Sequence, residues 1–139
     1  MRVRPLEARD RQAWAAMRAA LWPDEDADLL GHETLMHFSG TPLAEVVFIC
    51  EDRDGAPCGF LELSLRPYAE GCATSPVPYI EAWYVSPGAR LKGAGRALTA
   101  AAEHWALIRN FTEIASDTQI DNTQSLGAHA ALGYEEVER

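Results

Sequence analysis

Val85-Ser86-Pro87-Gly88-Ala89-Arg90-Leu91-Lys92-Gly93-Ala94-Gly95-Arg96 joins the end of an apolar run to the start of a long amphipathic one. Residues 79–85 (YIEAWYV) are aromatic and β-branched, as a strong strand requires. Ser86-Pro87-Gly88 breaks that strand. Residues 93–110 then carry Leu98, Ala101, Trp105 and Ile108 at helical spacing. The glycines at 93 and 95 let a ligand approach the backbone where a helix begins, and the helix dipole adds partial positive charge there. Arg90, Lys92 and Arg96 crowd cations around the same point. A pyrophosphate is the natural guest of such a loop. The glycines alone favour a plainer reading, a turn that only eases strand into helix. No Gly-Lys-Ser/Thr follows, so the loop is not a Walker A motif, and Leu98 breaks a GxGxxG fingerprint.

Upstream, residues 3–6 make a short strand, and residues 8–22 a helix with Trp14, Met17 and Leu21 on one face, closed by Pro23. Residues 28–38 read as a second helix, ended by Ser39-Gly40 and Pro42. Residues 45–51 and 59–65 are strands turned at Asp54-Gly55, and a proline- and glycine-bearing loop leads to 79–85. Downstream, residues 113–116 are a strand, 123–132 a helix, and a last short strand starts at Tyr134. A hairpin-rich first half and a βαβ second half imply an α/β (α+β) fold, a mixed and mostly antiparallel sheet flanked by about four helices.

At 139 residues, 47% of them apolar and 9% aromatic, the chain suits one globular domain spanning residues 1–139. No stretch approaches the roughly 20 apolar residues of a membrane span. Met1-Arg2-Val3-Arg4-Pro5 is charged and broken by proline, unlike a signal peptide. Three cysteines (Cys50, Cys58, Cys72) lack metal-ligand spacing, so no zinc site or disulfide framework is expected; reduced thiols point to a cytoplasmic protein. The net charge of −9, with Asp24, Glu25, Asp26, Asp28 and Glu33 close together, disfavours nucleic acid. It favours a cationic small molecule or a basic peptide, or serves only as a solvated acidic surface.

Arg90-Leu91-Lys92-Gly93-Ala94-Gly95 resembles the Arg/Gln-x-x-Gly-x-Gly/Ala signature of the GNAT acetyltransferases. Asp121-Asn122, Ser125 and Ala131-Leu132-Gly133-Tyr134 resemble that family's second landmark. Within the family, residues 75–85, 115–118 and 129–136 look like aminoglycoside 6′-N-acetyltransferases. The resemblance covers nearly the whole chain. It implies acetyl-CoA as cosubstrate, an aminoglycoside as the cationic substrate, antibiotic resistance as the outcome, and a homodimer. It also implies direct transfer in a ternary complex, leaving the cysteines no nucleophilic part.

On this resemblance the pyrophosphate falls to Arg90, Lys92, Gly93, Ala94, Gly95 and Arg96. A backbone N–H around Tyr84-Val85 stabilises the oxyanion, and Asn122 and Ser125 face the pantetheine arm. Glu81 stands inside an apolar strand, where an unpaired carboxylate is costly to bury. It is an outward-facing residue, one paired with an arginine, or the carboxylate that binds the substrate ammonium and accepts its proton. Asp117 is a turn cap or a second substrate carboxylate. Trp22 and Tyr68 resemble aromatics lining an aminoglycoside cleft, although Trp22 also suits a core position. His129 replaces the tyrosine that many family members place four residues before the Gly-Phe glycine. It is a thiolate-protonating acid or a packed histidine. The alternatives are transfer to another amine (a peptide N-terminus, a lysine or a polyamine) and coenzyme A binding without catalysis.

Overall fold

The computed structural model describes residues 1–116 and the backbone of 123–125. Its strands are β1 (Arg2–Pro5), β2 (Val46–Glu51), β3 (Pro57–Arg66), β4 (Val77–Val85), β5 (Glu113–Ser116) and β6 (Thr123–Ser125). They form one sheet in the order β1-β2-β3-β4-β5-β6, antiparallel throughout except for the parallel pair β4/β5. A parallel pair needs a long crossover, and α3 (Ala94–Ile108) supplies it. α1 (Arg11–Leu21) and α2 (Ala27–Phe38) precede β2. The mixed, mostly antiparallel sheet is as expected; three of the expected helices lie among the described residues.

The sheet is covered on both faces. Ala94, Leu98, Ala102 and Ala106, four residues apart, give α3 a small-residue stripe that packs on Phe48, Cys50, Leu61, Leu63 and Ile80. On the other face Trp14 and Met17 of α1 pack on Val47, Ile49, Phe60 and Ala82. The hairpin between β2 and β3 turns on Asp52, whose Oδ1 accepts from the N–H groups of Asp54 and Ala56, with Gly55 at φ +82°.

Three expected boundaries differ for physical reasons. The helix expected over residues 8–22 opens as a 3-10 turn, Ala8–Asp10. Buried Asp10 is held there by both Nη atoms of Arg4, at 2.7 and 2.9 Å, which tightens the first turn. The Arg4 guanidinium holds the Asp10 carboxyl below the usual range. The helix expected over 93–110 is shorter, because Gly93 at φ +89° caps its start and Asn110 at φ +69° lies beyond its end. In the segment expected as a helix over 123–132, Thr123–Ser125 is instead strand β6, paired antiparallel to β5. That pairing satisfies the outer edge of β5, a non-local demand that helical periodicity does not carry. The rest of that expected helix, and the strand from Tyr134, lie outside the described residues.

His37, near the end of α2, accepts a hydrogen bond at Nδ1 from the Leu43 N–H at 2.9 Å and packs edge-on against Trp14. Burial lowers its pKa from 6.5. The neutral ring is therefore favoured in the folded state, and its contribution is present above 6.5 and lost as pH falls through the lowered folded value. Urea denaturation from pH 7.5 to 5.5 should destabilise the wild type more than His37→Gln; equal slopes would show that His37 is not responsible.

Candidate active site

The loop after β4 is a 3-10 turn, Pro87–Ala89, followed by two left-handed residues, Leu91 (φ +67°) and Gly93 (φ +89°). The turn sharpens until α3 starts, with Ala97 N–H bonding Gly93 C=O at 2.9 Å. The N–H groups of the first turn thus fall outside the helical ladder and face away from it. A Cβ on Gly95 would stand 3.1 Å from Cζ2 of Trp83, so this glycine lets the helix start sit directly on the strand's indole. Arg90 folds back instead of forward: its Nε donates to Val85 C=O at 2.9 Å, tying the loop to the end of β4. Lys92 stands over an open groove of about 640 Å³ that also takes in Met1, Asp52, Arg53 and Asp54.

β4 is the strand on which this loop and the carboxylate meet. Its register with β5 runs Tyr79↔Ala115 and Ile80↔Ser116. β3 stays paired with β4 to Val85, so the strand runs supported from the carboxylate to the start of the glycine loop. The β3/β4 register slips between Glu62↔Ala82 and Leu63↔Ile80, which leaves Glu81 as the extra residue of a bulge. Bulges re-aim a side chain. Here the carboxylate of Glu81 meets Arg66, at the end of β3, through two bonds: Nε to Oε2 at 2.7 Å and Nη2 to Oε1 at 2.6 Å. The guanidinium lies 3.7 Å from the ring centroid of Tyr79. Of the three alternatives for Glu81, pairing with an arginine is realised, and the pair remains part-exposed.

Beside it runs a buried network. Glu62 accepts from Trp14 Nε1 at 3.0 Å and from Arg18, whose second arm reaches Glu33 at 2.6 Å. Burial pushes the Glu62 carboxyl up, and the Arg18 charge works against that. The Arg18 guanidinium also lies 4.9 Å from the ring of Trp22, which is half-buried where α1 ends. Trp22 is thus held by a cation at the edge of the core. Tyr68 is 70% exposed in the loop after β3. Asp24 and Glu25 are exposed between α1 and α2, whereas Asp26 caps α2 by accepting from Asp28 N–H at 2.9 Å.

Residues 8–134 match the model of the Acetyltransferase (GNAT) family. The chain belongs to the GNAT family. Within it, the chain is 47% identical over 136 residues to an aminoglycoside N(6′)-acetyltransferase type 1 of Klebsiella aerogenes, covering 97% of this chain and 90% of that one. It is 40% identical over 138 residues to the Stenotrophomonas maltophilia protein of the same name, covering 99% and 88%. Among solved structures it superposes on AAC(6′)-Iy in complex with the bisubstrate analogue CoA-S-monomethyl-acetylneamine. The TM-score there is 0.73, with 34% identity over 99% of this chain and 92% of that one.

In this GNAT chain Tyr84, Val85, Arg90, Lys92, Gly93, Ala94, Gly95 and Arg96 come together where β4 passes through its loop into α3. Asp117, Asn122 and His129 lie outside the described residues, as does the side chain of Ser125, whose backbone is in β6. Arg66 and the network of Arg18 and Glu62 escaped the sequence reading. Glu62 carried a signal: it interrupts the otherwise apolar stretch of residues 58–63 (CGFLEL) as Glu81 interrupts YIEAWYV. Arg66, next to Pro67 at a strand end, carried none. No helix of the described residues is long and apolar enough to cross a membrane.

Proposed function

We propose that this chain is a single-domain, acetyl-CoA-dependent N-acetyltransferase that acetylates the 6′-amine of aminoglycosides by direct transfer in a ternary complex. The observation that carries it is the course of β4, which leads from the bulged carboxylate of Glu81 to the left-handed glycine turn and helix start at Gly93. The kinship with aminoglycoside N(6′)-acetyltransferases supports the choice of amine.

The loop fits a pyrophosphate on two counts: its first-turn N–H groups fall outside the helical ladder, and Gly95, lacking the Cβ that would meet Trp83, seats the helix start against the strand. Gly93, Ala94, Gly95 and Arg96 hold the diphosphate through the backbone. Lys92 contributes charge and Arg90 keeps the loop tied to β4. Asn122 and Ser125 face the pantetheine arm. Acetyl-CoA supplies the activated acetyl group.

Glu81 and Asp117 hold the ammonium of the substrate, and Glu81 takes its proton through a water. Trp22 and Tyr68 bracket the sugar rings, and His129 protonates the departing thiolate. A backbone N–H at Tyr84-Val85 stabilises charge on the carbonyl oxygen, a contribution of roughly 3 kcal/mol for one such donor. Alignment of amine and thioester supplies much of the rest. Free thiols at Cys50, Cys58 and Cys72 agree with a cytoplasmic enzyme, and the family resemblance implies a homodimer.

A coupled thiol-release assay tests the reading. Kanamycin- or tobramycin-like compounds with a 6′-amine should turn over, with apparent affinity falling as salt rises. A 6′-hydroxyl analogue should bind and give no product. Equal rates for the two would overturn the regiochemistry. Turnover of a basic peptide, a lysine or a polyamine alone would move the substrate to another amine, and acetyl-CoA binding without any turnover would leave a binding module.

A further inference from the structure

Glu81 reaches the cleft from a bulge, a position that pairing with β3 does not itself fix. What fixes it is Arg66. Its Nε and Nη2 each take a different oxygen of the carboxylate, at 2.7 and 2.6 Å, the side-on geometry in which guanidinium and carboxylate share a plane. Its own freedom is removed by the Tyr79 ring, whose centroid lies 3.7 Å away. Arg66 stands opposite Val77 in the β3/β4 register, and Tyr79 is two residues further along the same face. Tyr79, Arg66 and Glu81 therefore form a stack that runs along β4 in the direction of the glycine loop.

We infer that Arg66 is a positioning residue for acetyl transfer, clamping Glu81 so that only the outer edge of its carboxylate meets the substrate amine. The inference rests on the functional reading above. A carboxylate offers about four lone-pair sites. The guanidinium takes one on each oxygen and leaves one on each, in a fixed direction. A Glu without that clamp would sample several rotamers, and few of them would line the amine up with the thioester. The clamp also brings a positive charge next to the ammonium site. Removing it therefore relieves repulsion as well as order, and the two effects fall on different kinetic constants. Loss of orientation lowers kcat. Loss of the cation leaves the KM for a polycation unchanged or lower.

A purely structural role would move neither constant in this pattern. The pair is part-exposed, with side chains 43% and 28% accessible, so it adds little to stability and its variants should fold.

The experiment compares wild type, Arg66→Met and Arg66→Lys with a 6′-amino aminoglycoside, and measures acetyl-CoA affinity by calorimetry. Arg66→Met should lose about 30-fold in kcat with aminoglycoside KM no higher than wild type and acetyl-CoA affinity unchanged. Arg66→Lys keeps the charge and cannot make the paired bonds, so its kcat should lie between the two. Wild-type kcat in Arg66→Met, or a loss confined to KM, overturns the clamp. So does wild-type kcat in Arg66→Lys, which also decides the matter if the Met variant does not fold. A wild type that acetylates no aminoglycoside overturns the functional reading and this inference with it, whereas an active wild type with an unaffected Met variant overturns the inference alone.

Discussion

Gly95→Asp is expected to fold and to bind acetyl-CoA about 100-fold more weakly than wild type, a loss of about 2.7 kcal/mol. Two effects add. A Cβ at this position would press on the Trp83 indole at 3.1 Å, closer than nine in ten such contacts, so the ring or the helix start must give by a few tenths of an ångström. The displaced helix start carries its first-turn N–H groups off the diphosphate, and the Asp charge beside them adds like-charge repulsion. The same carboxylate interacts favourably with the dipole of α3, which offsets part of the packing cost. Affinity should therefore fall much further than thermal stability. Gly95→Ala separates the two effects, because it carries the Cβ without the charge. Calorimetric titration with acetyl-CoA is the measurement. Unchanged affinity in the Asp variant would take the loop out of the cosubstrate site.

How much of this was legible in the sequence follows from which interactions are local. The strand, turn and helix over residues 79–108 are written in periodicity and in the Ser86-Pro87-Gly88 break, and the fold keeps that order, with the strand starting at Val77 and the helix confined to Ala94–Ile108. Strand β5 (Glu113–Ser116) has the bounds that its composition indicates. Strand β6 could not be read, because Thr123–Ser125 becomes a strand only when β5 offers an edge. The same reason hid the parallel pairing of β4 with β5: the register Tyr79↔Ala115 and Ile80↔Ser116 is a relation between two segments more than thirty residues apart.

Charged partners were the least legible part. The run YIEAWYV demands that Glu81 be satisfied, and an arginine is one way to do so, yet nothing local selects Arg66 from among the arginines. The selection is made by the β3/β4 hairpin and by the bulge that turns Glu81 towards it. Glu62 is the reverse case. It sits in an equally apolar run, and α1 meets it with Trp14 and Arg18, four residues apart on one helical face. One carboxylate is buried at 3% exposure and sealed by α1; the other is left at the cleft with part of its surface in solvent. Two glutamates on neighbouring strands thus differ in what covers them, which sequence patterning does not record.

Glu81→Gln carries the heaviest expected kinetic penalty, about 100-fold in kcat/KM for a 6′-amino aminoglycoside, with acetyl-CoA affinity unchanged. Gln keeps the shape and removes the charge that holds the ammonium. It also replaces one acceptor oxygen by an amide NH2, which cannot accept from Arg66 and faces its N–H groups as like against like. One of the two bonds to the guanidinium is therefore lost, and the side chain turns on its bulge. Anchoring and orientation fail together, so the penalty should exceed that of Arg66→Met, where the carboxylate survives without its clamp. The cosubstrate loop begins beyond Val85, where β4 ends, and its N–H groups make no bond to Glu81 in the structure, which is why binding of acetyl-CoA should not follow. Steady-state rates with a 6′-amino aminoglycoside make the test, and the variant should be slow at limiting and saturating substrate alike. A variant that keeps the wild-type rate would show that Glu81 neither anchors the ammonium nor accepts its proton.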